Sequence, residues 1–157
     1  LSAPIRYPEL ARHLGVEVGE RADSTKVRET VLAIRAGKGM VLDAADHDTW
    51  SAGSFFTNPI LDADAAATLP DDAPRFPTDD GRTKTSAAWL IQHSGFDKGF
   101  RIGNAGLSTK HVLALTNRGG ATATELVALA RHVRDGVEAR TGIRLEPEVN
   151  LVGTTLK

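Results

Sequence analysis

A chain of 157 residues with 41% hydrophobic content can form one domain with a core or two small lobes, and it is too apolar to be a disordered tail. Lysine and arginine number 19 against 20 aspartates and glutamates, and the net charge of -1 gives no electrostatic case for nucleic acid or an anionic membrane. Any anionic ligand must then be held by local groups. The absence of cysteine excludes disulfides, zinc–thiolate sites and thiol catalysis, and fits a cytosolic chain.

No apolar run approaches the ~18 residues of a membrane span, and no signal peptide is present. The chain starts at Leu1 and its one methionine is Met40, so we read it as a piece of a longer protein.

The segment PIRYPELARHLG starts extended and becomes a short helix at Pro8, where the missing N–H costs nothing. DSTKVRETVLAIRAGKG reads as a helix capped by Asp23 or Ser24, with Val27, Val31 and Ile34 on one face and Gly37 and Gly39 ending it around Lys38. An irregular connection leads to AGSFFTNPI, an extended apolar run stopped by Asn58-Pro59. LDADAAATL reads as a short helix, and the proline- and aspartate-rich PDDAPRFPTDDGRTK as a loop. TSAAWLIQHSG is a helix with Trp89, Leu90 and Ile91 inside and Gly95 closing it.

FRIGNAGLSTK is a glycine-containing turn region before HVLALTN, a strand, and RGG turns the chain back. Thr122 and Glu125 form an S/T-x-x-E capping box. The following helix carries the stripe Leu126, Leu129, Ala130, Val133 and Val137. IRLEPEVNLVG reads as a final strand. Strands and helices mix without regular βαβ alternation, so the class is α+β, a mixed sheet packed with helices.

Ser54 sits between a glycine and two phenylalanines. It is either a small residue in a core strand or a hydroxyl pointing into a pocket. No G-x-S-x-G elbow surrounds it, so nucleophilic chemistry is disfavoured. As a proton donor, so weak an acid can serve only a strongly basic centre such as a carbanion or enolate. Glu146 and Glu148 bracket Pro147 at the i, i+2 spacing of one strand face. They are either charges that blunt a sheet edge or carboxylates whose proximity or apolar setting keeps one protonated.

The five histidines, at 13, 47, 93, 111 and 132, show no metal-ligand spacing, and DAADHD (Asp43 to Asp48) reads as a solvated charged loop. Lys110-His111 at the mouth of a strand is either an ordinary solvent-facing pair or a contact to an anionic ligand, and Lys38 between glycines either marks the end of its helix or meets phosphate. RIGNAG matches neither G-x-G-x-x-G nor the P-loop.

AGSFFTNP, AAWLIQHSGFDKGFRIGNAGLSTKHVLALTN, ATATELVALARHVRDGV and LEPEV, in that order, resemble the C-terminal part of the UDP-N-acetylenolpyruvoylglucosamine reductase family. The resemblance runs from about Pro4 to Val152. It implies a cytoplasmic flavoenzyme of peptidoglycan synthesis, and so of cell wall, shape and division. NADPH reduces FAD, flavin N5 delivers hydride to C3 of UDP-N-acetylglucosamine enolpyruvate, and protonation at C2 gives UDP-N-acetylmuramate.

On the same resemblance, Ser54 is the proton donor and Glu148 the second catalytic group. Asn58, Lys38 and His111 bind substrate, Lys38 at the diphosphate. The chain then divides into residues 1–38, a remnant edge of the FAD-binding lobe, and 39–157, the substrate-binding domain. The main FAD-binding region is absent, and with it an arginine used near the substrate carboxylate. Asn150 stands where many relatives carry arginine. Such a piece is expected not to turn over or to hold flavin tightly. The other reading is a non-catalytic UDP-sugar-binding module that lacks the flavin lobe.

Overall fold

Pro8 opens the first helix, as its missing N–H allows, in a computed structural model that describes residues 1–156. The chain forms two compact units, Leu1–Val41 and the residues from Leu42 onward.

In the N-terminal unit, α1 (Pro8–Leu14) ends on Gly15 at φ 70°, and α2 (Ser24–Gly37) starts where Asp23 accepts from the Lys26 N–H at 3.0 Å. Ile5, Ala11 and Leu14 make its small core, with Leu10, Val16, Ala22 and Val27 packed on it. Val27, Val31 and Ile34 share the half-buried face that their spacing implies, and α2 buries none of its residues fully.

The larger unit is built on a four-stranded antiparallel sheet in the order β1 (Ser51–Ser54), β7 (Ala114–Asn117), β6 (Ala105–Leu107), β5 (Arg101–Ile102). The long helix α5 (Ala123–Thr141) lies against β5, β6 and β7, and α4 (Ala87–His93) packs on α5. Its stripe does what the spacing requires: Leu129, Ala130, Val133 and Val137 are all fully buried and Leu126 is half-buried. The capping box is formed, with the Thr122 hydroxyl accepting from the Glu125 N–H at 3.2 Å and Glu125 accepting from the Thr122 N–H at 2.8 Å. Donation to the Glu125 carboxylate from the Thr122 N–H, and then from the Thr122 hydroxyl at 3.0 Å, holds that carboxyl below its usual value. Phe56, Leu90, Ile91, Leu107 and Leu145 complete the core.

Four segments differ from the sequence reading. The loop after α3 (Ala63–Ala67) contains β3 (Phe76–Pro77) and β4 (Thr83–Lys84), which join β2 (Ile60–Leu61) in a second sheet of order β2-β4-β3. Two-residue strands in a proline-rich run carry no alternation to detect.

RIGNAG is the tight hairpin between β5 and β6, with Gly103 at φ 59° in the first loop position. Trp89 is half-buried, stacked on His93 with ring centroids 4.3 Å apart.

IRLEPEVNLVG forms no strand among the described residues. Only Pro147 bridges Phe56, flanked by the Thr57 N–H donating to the Glu146 carbonyl and the Glu148 N–H to the Phe55 carbonyl.

Candidate active site

Ser54 ends β1, and a bulge aims it. Ser51 pairs with Thr116 and Ser54 with Ala114, so β1 holds one residue more than β7 over that interval. Gly53 absorbs the extra residue at φ 86°, a conformation that glycine takes without cost. Beyond the bulge, the Phe55 N–H donates to the Leu113 carbonyl at 2.8 Å and the Phe56 ring is buried, so the hydroxyl is fixed between anchored neighbours.

Ser54 and Glu148 line one cavity of about 410 Å³, with Ala52, Val149 and Asn150. Two residues far apart in sequence meet because the Glu148 N–H donates to the Phe55 carbonyl at 2.8 Å. Glu148 is exposed. The exposed Glu146 lines different cavities, so the two carboxylates do not form a pair. A second cavity of about 440 Å³, with Trp50, Phe55, Leu115 and Leu126 among its walls, adjoins the first through Ala52, Val149 and Asn150. No basic side chain lines either cavity among the described residues.

His111 approaches Ser54 from the connection between β6 and β7, with Nε2 3.3 Å from the Ser54 Oγ. Hydrogen bonds tie that connection down at several points. The buried Ser108 hydroxyl accepts from the N–H groups of Lys110 and His111 at 3.0 and 3.2 Å. Asp48, from a single 3-10 turn over His47–Thr49, accepts from the Thr109 N–H at 2.9 Å, from the Thr109 hydroxyl, and from Arg118 at 2.5 Å. Asp46, two residues earlier, pairs with Lys110 at 2.5 Å.

Asp48 is only 4% exposed. The DAADHD segment is therefore not a solvated loop throughout. Burial alone would push the Asp48 carboxyl up, but the Thr109 and Arg118 donors outweigh it and leave the carboxyl below its usual value. Among the described residues, no cluster of histidine and carboxylate side chains could hold a metal ion.

Asn58 is exposed and its Oδ1 accepts from the Ala87 N–H at 2.9 Å, which ties the Asn58-Pro59 bend to the start of α4. It lines a separate cavity with Thr57, Ile60 and Arg144. Lys38 belongs to the N-terminal unit, where its ammonium donates to Glu9 at 2.6 Å and holds that carboxyl below its usual value. Sequence reasoning missed Asp48, whose partners Thr109 and Arg118 are 61 and 70 residues away.

The hairpin at Gly103 opens no helix, so it offers no helix N-terminus for a diphosphate.

The family model for the C-terminal domain of UDP-N-acetylenolpyruvoylglucosamine reductase matches residues 44–152. Among curated relatives, the UDP-N-acetylenolpyruvoylglucosamine reductase of Cutibacterium acnes is 61% identical over 99% of this chain and 41% of its own length. That of Saccharopolyspora erythraea is 59% identical over 99% of this chain and 46% of its own. The chain thus spans less than half the length of either relative. The crystal structure of the Thermus caldophilus reductase aligns loosely with 85% of this chain and 37% of its own, at 27% identity and a TM-score of 0.47. On the family match and the curated identities, the chain belongs to the UDP-N-acetylenolpyruvoylglucosamine reductase family, with residues 44–152 matching its C-terminal domain.

Proposed function

We propose that this chain is the substrate-binding part of a cytoplasmic reductase that converts UDP-N-acetylglucosamine enolpyruvate to UDP-N-acetylmuramate. The observation that carries the reading is the shared cavity of Ser54 and Glu148. A hydroxyl and a carboxylate across one cavity suit a reaction in which a carbanion next to a carboxyl group must be protonated. Ser54 gives its proton to C2, the one kind of centre basic enough to take it. Glu148, once protonated, donates a hydrogen bond at the substrate carboxylate and so stabilises the enolate. Asn58 and Lys38 contribute to holding the substrate, Lys38 at the diphosphate.

The hydride comes from FAD, reduced by NADPH and bound outside this segment. The electrostatics favour that division of labour. The residues lining the cavity include Glu148 and no lysine or arginine, so an anionic substrate carboxylate calls for a further positive charge. The arginine that the family resemblance puts near that carboxylate fills the need. It follows that the segment alone binds the UDP-sugar weakly, retains no flavin and does not turn over.

Calorimetric titration with UDP-N-acetylglucosamine enolpyruvate tests this. We expect saturable binding that weakens about tenfold in Lys38→Ala, a change of ~1.4 kcal/mol. No heat at millimolar ligand, or a stoichiometric yellow preparation, contradicts it.

A further inference from the structure

We propose that His111 is the proton relay behind Ser54: an imidazolium that returns a proton to the serine oxygen after the serine has spent its own. This rests on the reading of Ser54 as the donor to C2. The geometry points to it directly. His111 Nε2 lies 3.3 Å from the Ser54 Oγ, and no other side-chain hydrogen bond of Ser54 occurs among the described residues. A serine that protonates a carbanion becomes an alkoxide, which is too basic to persist without a donor beside it.

The step balances as follows. The carbanion's electron pair takes the hydroxyl proton, so a C2–H bond forms as the Ser54 O–H bond breaks. The alkoxide takes the Nε2 proton of His111, leaving a neutral imidazole. Solvent then returns a proton to the imidazole, and the net change is one solvent proton delivered to C2.

The structure invests in placing this ring. His111 follows a turn closed by the buried Ser108 hydroxyl, and residue 109 is bound twice by the buried Asp48 carboxylate. Charged groups around the turn include the Asp46–Lys110 pair at 2.5 Å, the Asp48–Arg118 pair at 2.5 Å, and Glu148 on the Ser54 cavity. Both pairs are internally neutralised, so the turn adds little net field of its own.

Two measurements test the relay. In this chain, the ¹⁵N resonance of His111 Nε2 is followed from pH 5 to 9 with and without Ser54→Ala. A shift that depends on the serine is expected, and identical titrations overturn the proposal. In a holoenzyme that carries this segment in place of the matching 41% of the Cutibacterium acnes reductase, single turnovers are quenched between pH 5.5 and 8.5.

Product formation is expected to slow as pH rises through the His111 titration found in the first measurement. His111→Gln and His111→Asn are expected to lose that slope and run about 100-fold slower at the acidic end. If Ser54→Ala is slow but both histidine variants keep the parent's slope, the relay is wrong and Ser54 stands. If Ser54→Ala turns over like the parent, both readings fall.

Discussion

Gly53 explains why a glycine precedes the serine. An added Cβ there would meet nothing within 4 Å, so the position is not crowded. The constraint is the backbone itself, held at φ 86° where the bulge takes up an extra residue. Gly53→Ala is expected to cost about 1–2 kcal/mol in urea unfolding, from conformational strain alone. Because the bulge also sets the direction of Ser54, the same substitution should change the His111 ring resonance. Unaltered stability would show that the bulge needs no glycine. The G and S of GSFF thus form one device, a hinge and the group it aims.

At the scale of elements, the site depends on a clamp built from short pieces. A single turn at His47–Thr49 supplies Asp48, which joins the β6–β7 connection at Thr109 to the turn after β7 at Arg118. Removing the charge leaves Arg118, whose side chain is 19% exposed, without its carboxylate. Asp48→Asn is expected to lower stability by about 2 kcal/mol at pH 7.

The pH dependence has a definite sign. The folded-state carboxyl lies below its usual value, which is about 3.9 in an unfolded chain. Its contribution is full above that pH and is lost as pH falls through the lowered folded value. The gap between parent and variant should therefore narrow when unfolding is repeated at progressively lower pH, below about 4. A gap that stays constant down to pH 2 would show that Asp48 acts through packing rather than charge.

Across the whole molecule, what could be read from the sequence followed the range of the interactions. Local rules located α1, α2 and α5 and their caps, because Pro8, Asp23 and the Thr122–Glu125 box act within one turn. The stripe of α5 identified Leu129, Val133 and Val137 as core for the same reason. Contacts made across the fold were hidden. The Asp48 clamp reaches across more than 60 residues, from Asp48 to Thr109 and Arg118, and looked like a charged loop. LEPEV looked like a strand because its pairing stops at one bridge, between Pro147 and Phe56, and that partner is far away in sequence. Ser54 and Glu148 were legible as chemistry, but their meeting in one cavity was not. That needs the Glu148 N–H to find the Phe55 carbonyl.

The most direct measurement is an NMR titration of the ¹⁵N-labelled chain with UDP-N-acetylglucosamine enolpyruvate. The account expects the largest amide shifts at Ser54, Phe55, Glu148 and Asn150, with the His111 ring responding alongside them. Shifts confined to residues away from the Ser54–Glu148 cavity, or none at millimolar ligand, would contradict it.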